Sequence, residues 1–371
     1  MICLLTAFFT SFIATILIIR TQKLHGRFSA DLNLDGPQKF HTKSVPRIGG
    51  IAIGLGIFAA IALNYQSNMA GLDKLFLLLC ALPAFGIGLI EDLTKKISVR
   101  KRLFFTMISA ILFVSLLHAH IIKLDIPGID FLLTIPFVGA ILTIFAMTGL
   151  ANSYNIIDGF NGLASMVGII TLLGIAYVGF LFVDLTIIYL SLIMAGAIFG
   201  FFIWNYPWGL IFLGDGGAYL IGFWIAALSI LLTYRHQEIS PWFALLINAY
   251  PIMETLFTIY RRKIHHGKSF AQPDGIHFHT LLYRRILMNS HQDKDWFSAN
   301  SRTAPYLWTL AGLSVTPAIL WWQSTPILIG VCLIFIISYV SIYASIVKFK
   351  TPKWLHLYKW RKCEARKLNS K

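Results

Sequence analysis

Charge is scarce in this chain, and negative charge scarcest. Only 13% of its 371 residues are charged, with 16 Asp and Glu against 31 Lys and Arg, where a soluble globular protein carries about a quarter charged residues. Four cysteines, Cys3, Cys80, Cys332 and Cys363, stand far apart without a C-x-x-C pair. They indicate neither a disulfide framework nor a zinc knuckle and read as packing or lipid-facing residues. The patterns G-x-x-x-x-G-K-[ST] and H-E-x-x-H are missing, so no motif points to a P-loop ATPase or a zincin peptidase. There is also no long repeat, low-complexity tract or linker to separate folded domains. What abounds is apolar: 57% of residues are hydrophobic and the mean hydropathy is +0.71. The apolar residues gather in stretches of about 18 to 22, long enough to cross a ~30 Å hydrocarbon core as helices. The strands of a β-barrel would instead be about ten residues long with alternating polarity. The chain reads as an integral membrane protein.

Apolar runs bounded by charge predict an all-α, polytopic fold of about eleven transmembrane helices: 2–20, 48–65, 73–90, 103–119, 131–151, 165–183, 185–203, 218–233, 242–260, 304–322 and 327–347. The eighth is the weakest signal. Alternate connections then fall on one side, and the basic residues test that alternation. Segments 20–47, 91–102, 261–302 and 348–371 hold 28 of the 31 Lys and Arg, leaving Lys74, Lys123 and Arg235 for the other side. The positive-inside bias puts the N-terminus outside and the C-terminus in the cytoplasm. Met1 to Ile19 has no basic residue before Arg20 and no small-residue cleavage pattern, so it reads as a retained first span rather than a signal peptide. Residues 1–347 are expected to form one transmembrane domain with catalytic loops at 20–47, 91–102, 152–164, 204–217 and 261–302. The basic, aromatic tail 348–371 suits membrane lipids of an anionic inner leaflet better than nucleic acid.

Polar residues cluster at the predicted cytoplasmic ends, where an enzyme acting on a lipid headgroup needs them. A transporter would place them mid-span. Lys43 and Arg47 precede Gly49-Gly50 and can hold phosphate oxygens, with the glycines admitting a ligand close to the backbone; flanking charge and helix packing are the plain alternative. The adjacent Glu91 and Asp92 would repel unless a cation intervenes, which suits a Mg²⁺ site, or else are screened helix-end charges. Asn152, Asn155, Asp158 and Asn161 recur every third residue, so on a helix the first three can address one ligand before Gly159 and Gly162 open a turn. Gly214-Asp215-Gly216-Gly217 follows an aromatic loop containing Asn205. Its amides can crowd around an anion while Asp215 holds a metal, unless it is a mere turn. Glu254 lies seven residues before Arg261, close enough to be neutralised by Arg261 and Arg262. His277 and His279, with Asp274, can contact substrate phosphate or sugar, bind zinc, or belong to a solvated loop.

In order, PRIGG, GLIEDL with RKRL, NSYNIIDGFNGL, FLGDGG and PDGIHFHTLLYRR resemble the polyprenyl-phosphate N-acetylhexosamine-1-phosphate transferase family. That superfamily includes bacterial undecaprenyl-phosphate GlcNAc-1-phosphate transferases and phospho-MurNAc-pentapeptide transferases. The likeness runs from about Lys39 to Arg285. It implies a Mg²⁺-dependent enzyme (with Mn²⁺ as a substitute) of the bacterial inner membrane. Such an enzyme moves a sugar-1-phosphate from a UDP-sugar to undecaprenyl or another polyprenyl phosphate and releases UMP, initiating a cell-envelope glycan such as an O-antigen. A homodimer is compatible with it. By motif position, Asp92, Asp158 and Asp215 are the candidate catalytic carboxylates, and Asp215, Asp92 and Glu91 the metal side. Asn152, Asn155, Asp158, Asn205, His277 and His279 fall to the nucleotide-sugar, and Lys43 and Arg47 to phosphate. Three positions depart from the pattern: Glu91 stands where relatives usually have Asp, Asn161 where they have a second Asp, and Thr280 where they have a third His. The apparent span number favours the GlcNAc-type relatives over a peptidoglycan-type transferase. A transporter or a non-catalytic scaffold of the same architecture completes the alternatives.

Overall fold

In lipid a chain has to satisfy its own backbone hydrogen bonds, and helices do so within one segment. The computed structural model describes residues 2–29, 45–63, 71–265, 276–287 and 296–349, and their regular secondary structure is helical. Helix α1 (Ile2–Arg20) leads into α2 (Gln22–Ser29), followed by α3 (Gly49–Leu63), α4 (Asp73–Thr94), α5 (Val99–Leu117), α6 (Ile129–Leu133) and α7 (Pro136–Ile157). Then come α8 (Leu163–Leu181), α9 (Leu185–Asn205) and α10 (Gly214–Arg235). Helices α11 (Pro241–Ile247) and α12 (Ala249–His265) meet at a 76° bend. After them come α13 (Phe278–Leu282), a π-helical turn over Tyr283–Leu287, α14 (Trp296–Leu320) and α15 (Thr325–Val347).

Each of the eleven predicted stretches overlaps one of these helices or the bent pair. Among the described residues seven helices, α1, α4, α7, α8, α9, α10 and α15, are long and apolar enough to cross a membrane, and the bent pair adds an eighth if taken as one span. The protein is thus a polytopic helical membrane protein.

The stretch that reads weakest in sequence lies in the most enclosed helix. Of the apolar window of α10, 94% is buried, against 17% for α1. Helix α10 packs against α3, α4, α7 and α8, with α9 and α5 also in contact. Its Gly, Ser and aromatic residues lower its hydropathy because they serve protein contacts rather than lipid.

Helix polarity sorts the charges. The C-terminal ends of α4, α7 and α9 meet the N-terminal ends of α3, α5, α8 and α10 at one end of the bundle. At the other end, Asp184 caps α9 by accepting from Thr186 N (3.0 Å) and Ile187 N (3.1 Å), and also accepts from Arg235 Nη1 (3.1 Å). Arg235 also pairs with Asp73, and Lys123 with Asp125 at 3.4 Å. Burial works against the ionised Asp184, yet the backbone bonds, Arg235 and His236 together hold its carboxyl below the usual range.

Candidate active site

Helix α10 starts without a local cap: the preceding Leu213 supplies no side-chain acceptor. The free amides of its first turn are satisfied from another helix, as a helix N-terminus requires. Asp215 N donates to Asp92 Oδ1 at 2.8 Å and Gly216 N to Asp92 Oδ2 at 2.9 Å. Asp92 is 3% exposed at the end of α4. The approach depends on missing side chains, since a Cβ on Gly88 would sit 2.5 Å from Gly216 N. Gly214 has φ +77°, and a Cβ there would strike the Arg47 carbonyl and the Asp92 carboxylate.

Residues 46–50 pair with the segment before α10. Phe212 N donates to Pro46 O (2.8 Å), Gly49 N to Phe212 O (3.0 Å) and Gly50 N to Leu213 O (3.0 Å). This pairing sets Arg47 over Asp215: Arg47 Nη2 donates to Asp215 Oδ1 at 3.1 Å and lies 3.9 Å from Asp92 Oδ1. From the first turn of α5, Arg102 Nη1 donates to the other oxygen of Asp215. The Asp215 side chain is 9% exposed and that of Arg47 34%, so a cation at the rim holds a carboxylate within.

Asp158 ends α7 on the same side. Its carboxylate is half-buried and, among the described residues, accepts no hydrogen bond. Burial pushes its pKa up to about 7, with Arg47 pulling it down and Asp215 pushing it up. Among the described residues the Asn155 side chain also has no hydrogen bond. Asn152 Nδ2 instead donates to Thr148 O (2.8 Å) and Thr106 Oγ1 (3.4 Å). The expected stripe therefore splits: Asn152 is tied into the α5/α7 packing, Asn155 and Asp158 are unclaimed, and Asn161 lies beyond the turn.

Several predicted residues are committed to structure. Asn205 Oδ1 accepts from Gly162 N (2.6 Å) and its Nδ2 donates to Ile211 O (2.7 Å), bracing the aromatic loop. Asn161 Nδ2 donates to Pro207 O (3.3 Å) and Ser301 Oγ (3.4 Å) in the same brace. Glu91 Oε2 accepts from Ile97 N at 2.7 Å, turning toward the α4–α5 loop. The amides of Asp215 and Gly216, expected to cradle an anion, serve Asp92, and Gly49 and Gly50 approach α10 and its entry segment. Glu254 is met by His277, Phe278 N and Tyr339, the partners that Arg261 and Arg262 were expected to supply.

His277 and His279 are buried, their rings stacked at 5.1 Å, and His279 lies edge-on to Phe160 at 5.4 Å. A Cβ on Gly159 would lie 2.9 Å from His279 Nε2, so the histidine segment abuts the turn that carries Asp158. Lys43, Asp274 and the tail from residue 350 lie outside the described residues. Arg102 is the residue that sequence reasoning passed over. Its signal was a basic run that ends as a span begins, the same signal that marks any span flank.

Among the described residues no three His, Cys, Asp or Glu side chains form a ready metal cage. Mg²⁺, however, usually takes one or two protein carboxylates, with water and substrate phosphates completing its shell. Asp215 fits that use, since among the described residues its oxygens meet the side-chain cations Arg47 and Arg102, which phosphate can draw away. Asp92 has only the lone pairs left by two backbone amides, and Glu91 is turned aside.

The fold and site define a polytopic membrane protein with arginines and carboxylates gathered at one end of its bundle. Residues 74–233 match the model of glycosyl transferase family 4. The chain is 27% identical over 289 residues to the probable undecaprenyl-phosphate N-acetylglucosaminyl 1-phosphate transferase of Bacillus subtilis (strain 168), covering 76% of this chain and 78% of that protein. It is 27% identical over 255 residues to the undecaprenyl-phosphate alpha-N-acetylglucosaminyl 1-phosphate transferase of Thermotoga maritima, covering 68% and 74%. It is 26% identical over 299 residues to a phospho-N-acetylmuramoyl-pentapeptide-transferase of Streptococcus agalactiae, covering 74% and 86%.

Proposed function

We propose that this protein transfers an N-acetylhexosamine-1-phosphate from a UDP-sugar to undecaprenyl or another polyprenyl phosphate, releasing UMP, as the first step of a cell-envelope glycan. The observation that carries the reading is Asp215, held by Arg47 and Arg102 beside Asp92, in a chain whose relatives are named for this transfer. A lipid phosphate oxygen attacks the sugar-linked phosphorus, and the bond to the UMP oxygen breaks. Several negative charges then crowd together and have to be offset. Arg47, partly exposed, and Arg102 swing from Asp215 to the phosphates. Asp215 thereby gains free lone pairs, while Asp92 keeps the start of α10 in place. Asn155 and Asp158, whose side chains have no hydrogen bond among the described residues, take donors and acceptors of the nucleotide. Mg²⁺, or Mn²⁺ in its place, supplies further charge neutralisation when bound at Asp215.

In this reading the bundle crosses the bacterial inner membrane eleven times, with its active end in the cytoplasm. One phosphoanhydride replaces another, so the reaction requires no ATP site. The test is UMP release by purified protein in detergent with undecaprenyl phosphate and Mg²⁺, across UDP-GlcNAc, UDP-GalNAc, UDP-deoxy-aminosugars and UDP-MurNAc-pentapeptide. Lipid-dependent release that EDTA abolishes and Asp215→Asn reduces at least a hundredfold, in line with the loss of a key electrostatic group, is expected with a UDP-N-acetylhexosamine. Release with UDP-MurNAc-pentapeptide alone would move the protein to the peptidoglycan-type reaction. Absence of release with every donor, from folded protein, would overturn the reading.

A further inference from the structure

The last helix, α15, lies away from the arginines and carboxylates, yet it reaches the histidine segment through a buried polar chain. Tyr339 Oη donates to Glu254 Oε2 at 2.7 Å. The other oxygen, Glu254 Oε1, accepts from Phe278 N at 3.0 Å and meets His277 Nδ1 at 3.2 Å. One turn further along α15, Tyr343 Oη donates to the Ile276 carbonyl at 3.0 Å. At the C-terminal end of the helix, Arg285 Nη1 donates to Ile346 O (2.8 Å) and Val347 O (2.5 Å). The Phe278 ring lies 5.0 Å from that of Tyr339. Helix α15 thus grips residues 276–285 at both ends and in the middle.

A carboxylate that is 1% exposed is costly unless all its lone pairs are served. Among the described residues, the hydrogen-bond partners of Glu254 belong either to the histidine segment or to α15, so its stability depends on their staying together. From His277 the contact passes to His279 by ring stacking, and from His279 to Phe160 and Gly159 beside Asp158.

We infer that Tyr339 and Tyr343 of α15 are positioning residues for the nucleotide-sugar: through Glu254 and the Ile276 carbonyl they hold His277 and His279 against the Asp158 turn, and so set donor affinity and donor choice. The inference rests on the proposed transferase reading, in which that turn and the histidines face the donor. Neither tyrosine touches the reacting phosphates.

The experiment uses Tyr339→Phe, Tyr343→Phe and the double variant of the full chain in detergent, each removing only hydroxyls. In the UMP assay, the KM for the UDP-sugar rises about fivefold in the single variants, the scale of one lost hydrogen bond. The KM for polyprenyl phosphate and kcat stay at wild-type values, and discrimination between UDP-GlcNAc and UDP-GalNAc weakens. Merely structural damage would instead lower kcat through a smaller active fraction and leave both KM values unmoved. Hydrogen exchange of the ligand-free protein gives a second readout: amides 276–283 exchange faster in the variants, while those of α10 do not. If Tyr339→Phe fails to fold, Tyr343→Phe carries both measurements. Unchanged exchange at 276–283 overturns the clamp, and faster exchange with an unmoved donor KM overturns its role at the donor. If the wild-type protein releases no UMP with any donor, the transferase reading falls instead, and exchange alone decides the clamp.

Discussion

Asn161 looks in sequence like a lost aspartate, but its environment calls for an amide. Its Nδ2 donates to the Pro207 carbonyl, which also accepts from Ser301 Oγ. Asn161→Asp removes one of the two donors to that carbonyl and sets a carboxylate against it. Thermal unfolding in detergent should show a loss of about 1–3 kcal/mol with no gain in UMP release; a wild-type midpoint would sink this account. Asp158 behaves in the opposite way, as a carboxylate that accepts no hydrogen bond among the described residues. Its native pKa of about 7 lies above the ordinary value of about 3.9, so the native state binds the proton more tightly than the unfolded chain. Its contribution is therefore fully present below about pH 4 and is lost as pH rises through about 7. In ligand-free protein, melting temperature measured across that window should fall more steeply for wild type than for Asp158→Asn; parallel curves would refute the assignment.

At the scale of elements, the junction of α4 and α10 is a backbone contact first and a site second. Asp92 caps α10 across 123 residues of sequence, and glycines let the helices approach until one main chain touches the other. A Cβ on Gly216 would stand 2.9 Å from Leu89 N, and backbone cannot give way as a flexible side chain can. Gly216→Ala should therefore cost about 1–3 kcal/mol, the range for overpacking, and should displace Asp215 enough to impair turnover. Gly312→Ala in α14, where nothing lies within 4 Å of the added carbon, is the control. It should be neutral or slightly stabilising, because alanine favours the helix. Equal melting temperatures for the two variants would remove the close-packing argument.

At the scale of the molecule, the ion pairs sort by end. Arg47 and Arg102 meet Asp215 at one end, while Arg235 meets Asp184 and Asp73 at the other. If the excess of Lys and Arg marks the cytoplasmic face, exposed residues near the two ends should differ in access. In whole cells expressing a variant without native cysteines, Glu238→Cys should react with a membrane-impermeant thiol reagent added outside. Lys96→Cys should react only after permeabilisation. The reverse pattern would invert the proposed topology.

Much of this protein is readable one residue at a time, because lipid imposes simple rules. Long apolar runs have to be helices, charges have to lie at their ends, and the first and last spans, 2–20 and 327–347, match α1 and α15 within two residues for that reason. The five polar clusters were likewise visible, since few other residues could do phosphate chemistry. What sequence could not assign was the direction in which each polar side chain turns. Asn205, Glu91 and Asn152 look like ligand groups by residue type and motif, yet backbone amides and carbonyls claim them. Only the packed bundle determines which donors lack a closer partner. The burial of α10 was hidden similarly, as its modest hydropathy reflects contact with seven helices rather than with lipid. The role of Tyr339 was hidden most completely, because it joins Glu254 across 85 residues and carries no motif. Lipid solvation decided where the helices run; the competition for hydrogen bonds between packed helices decided which residues remain for substrate.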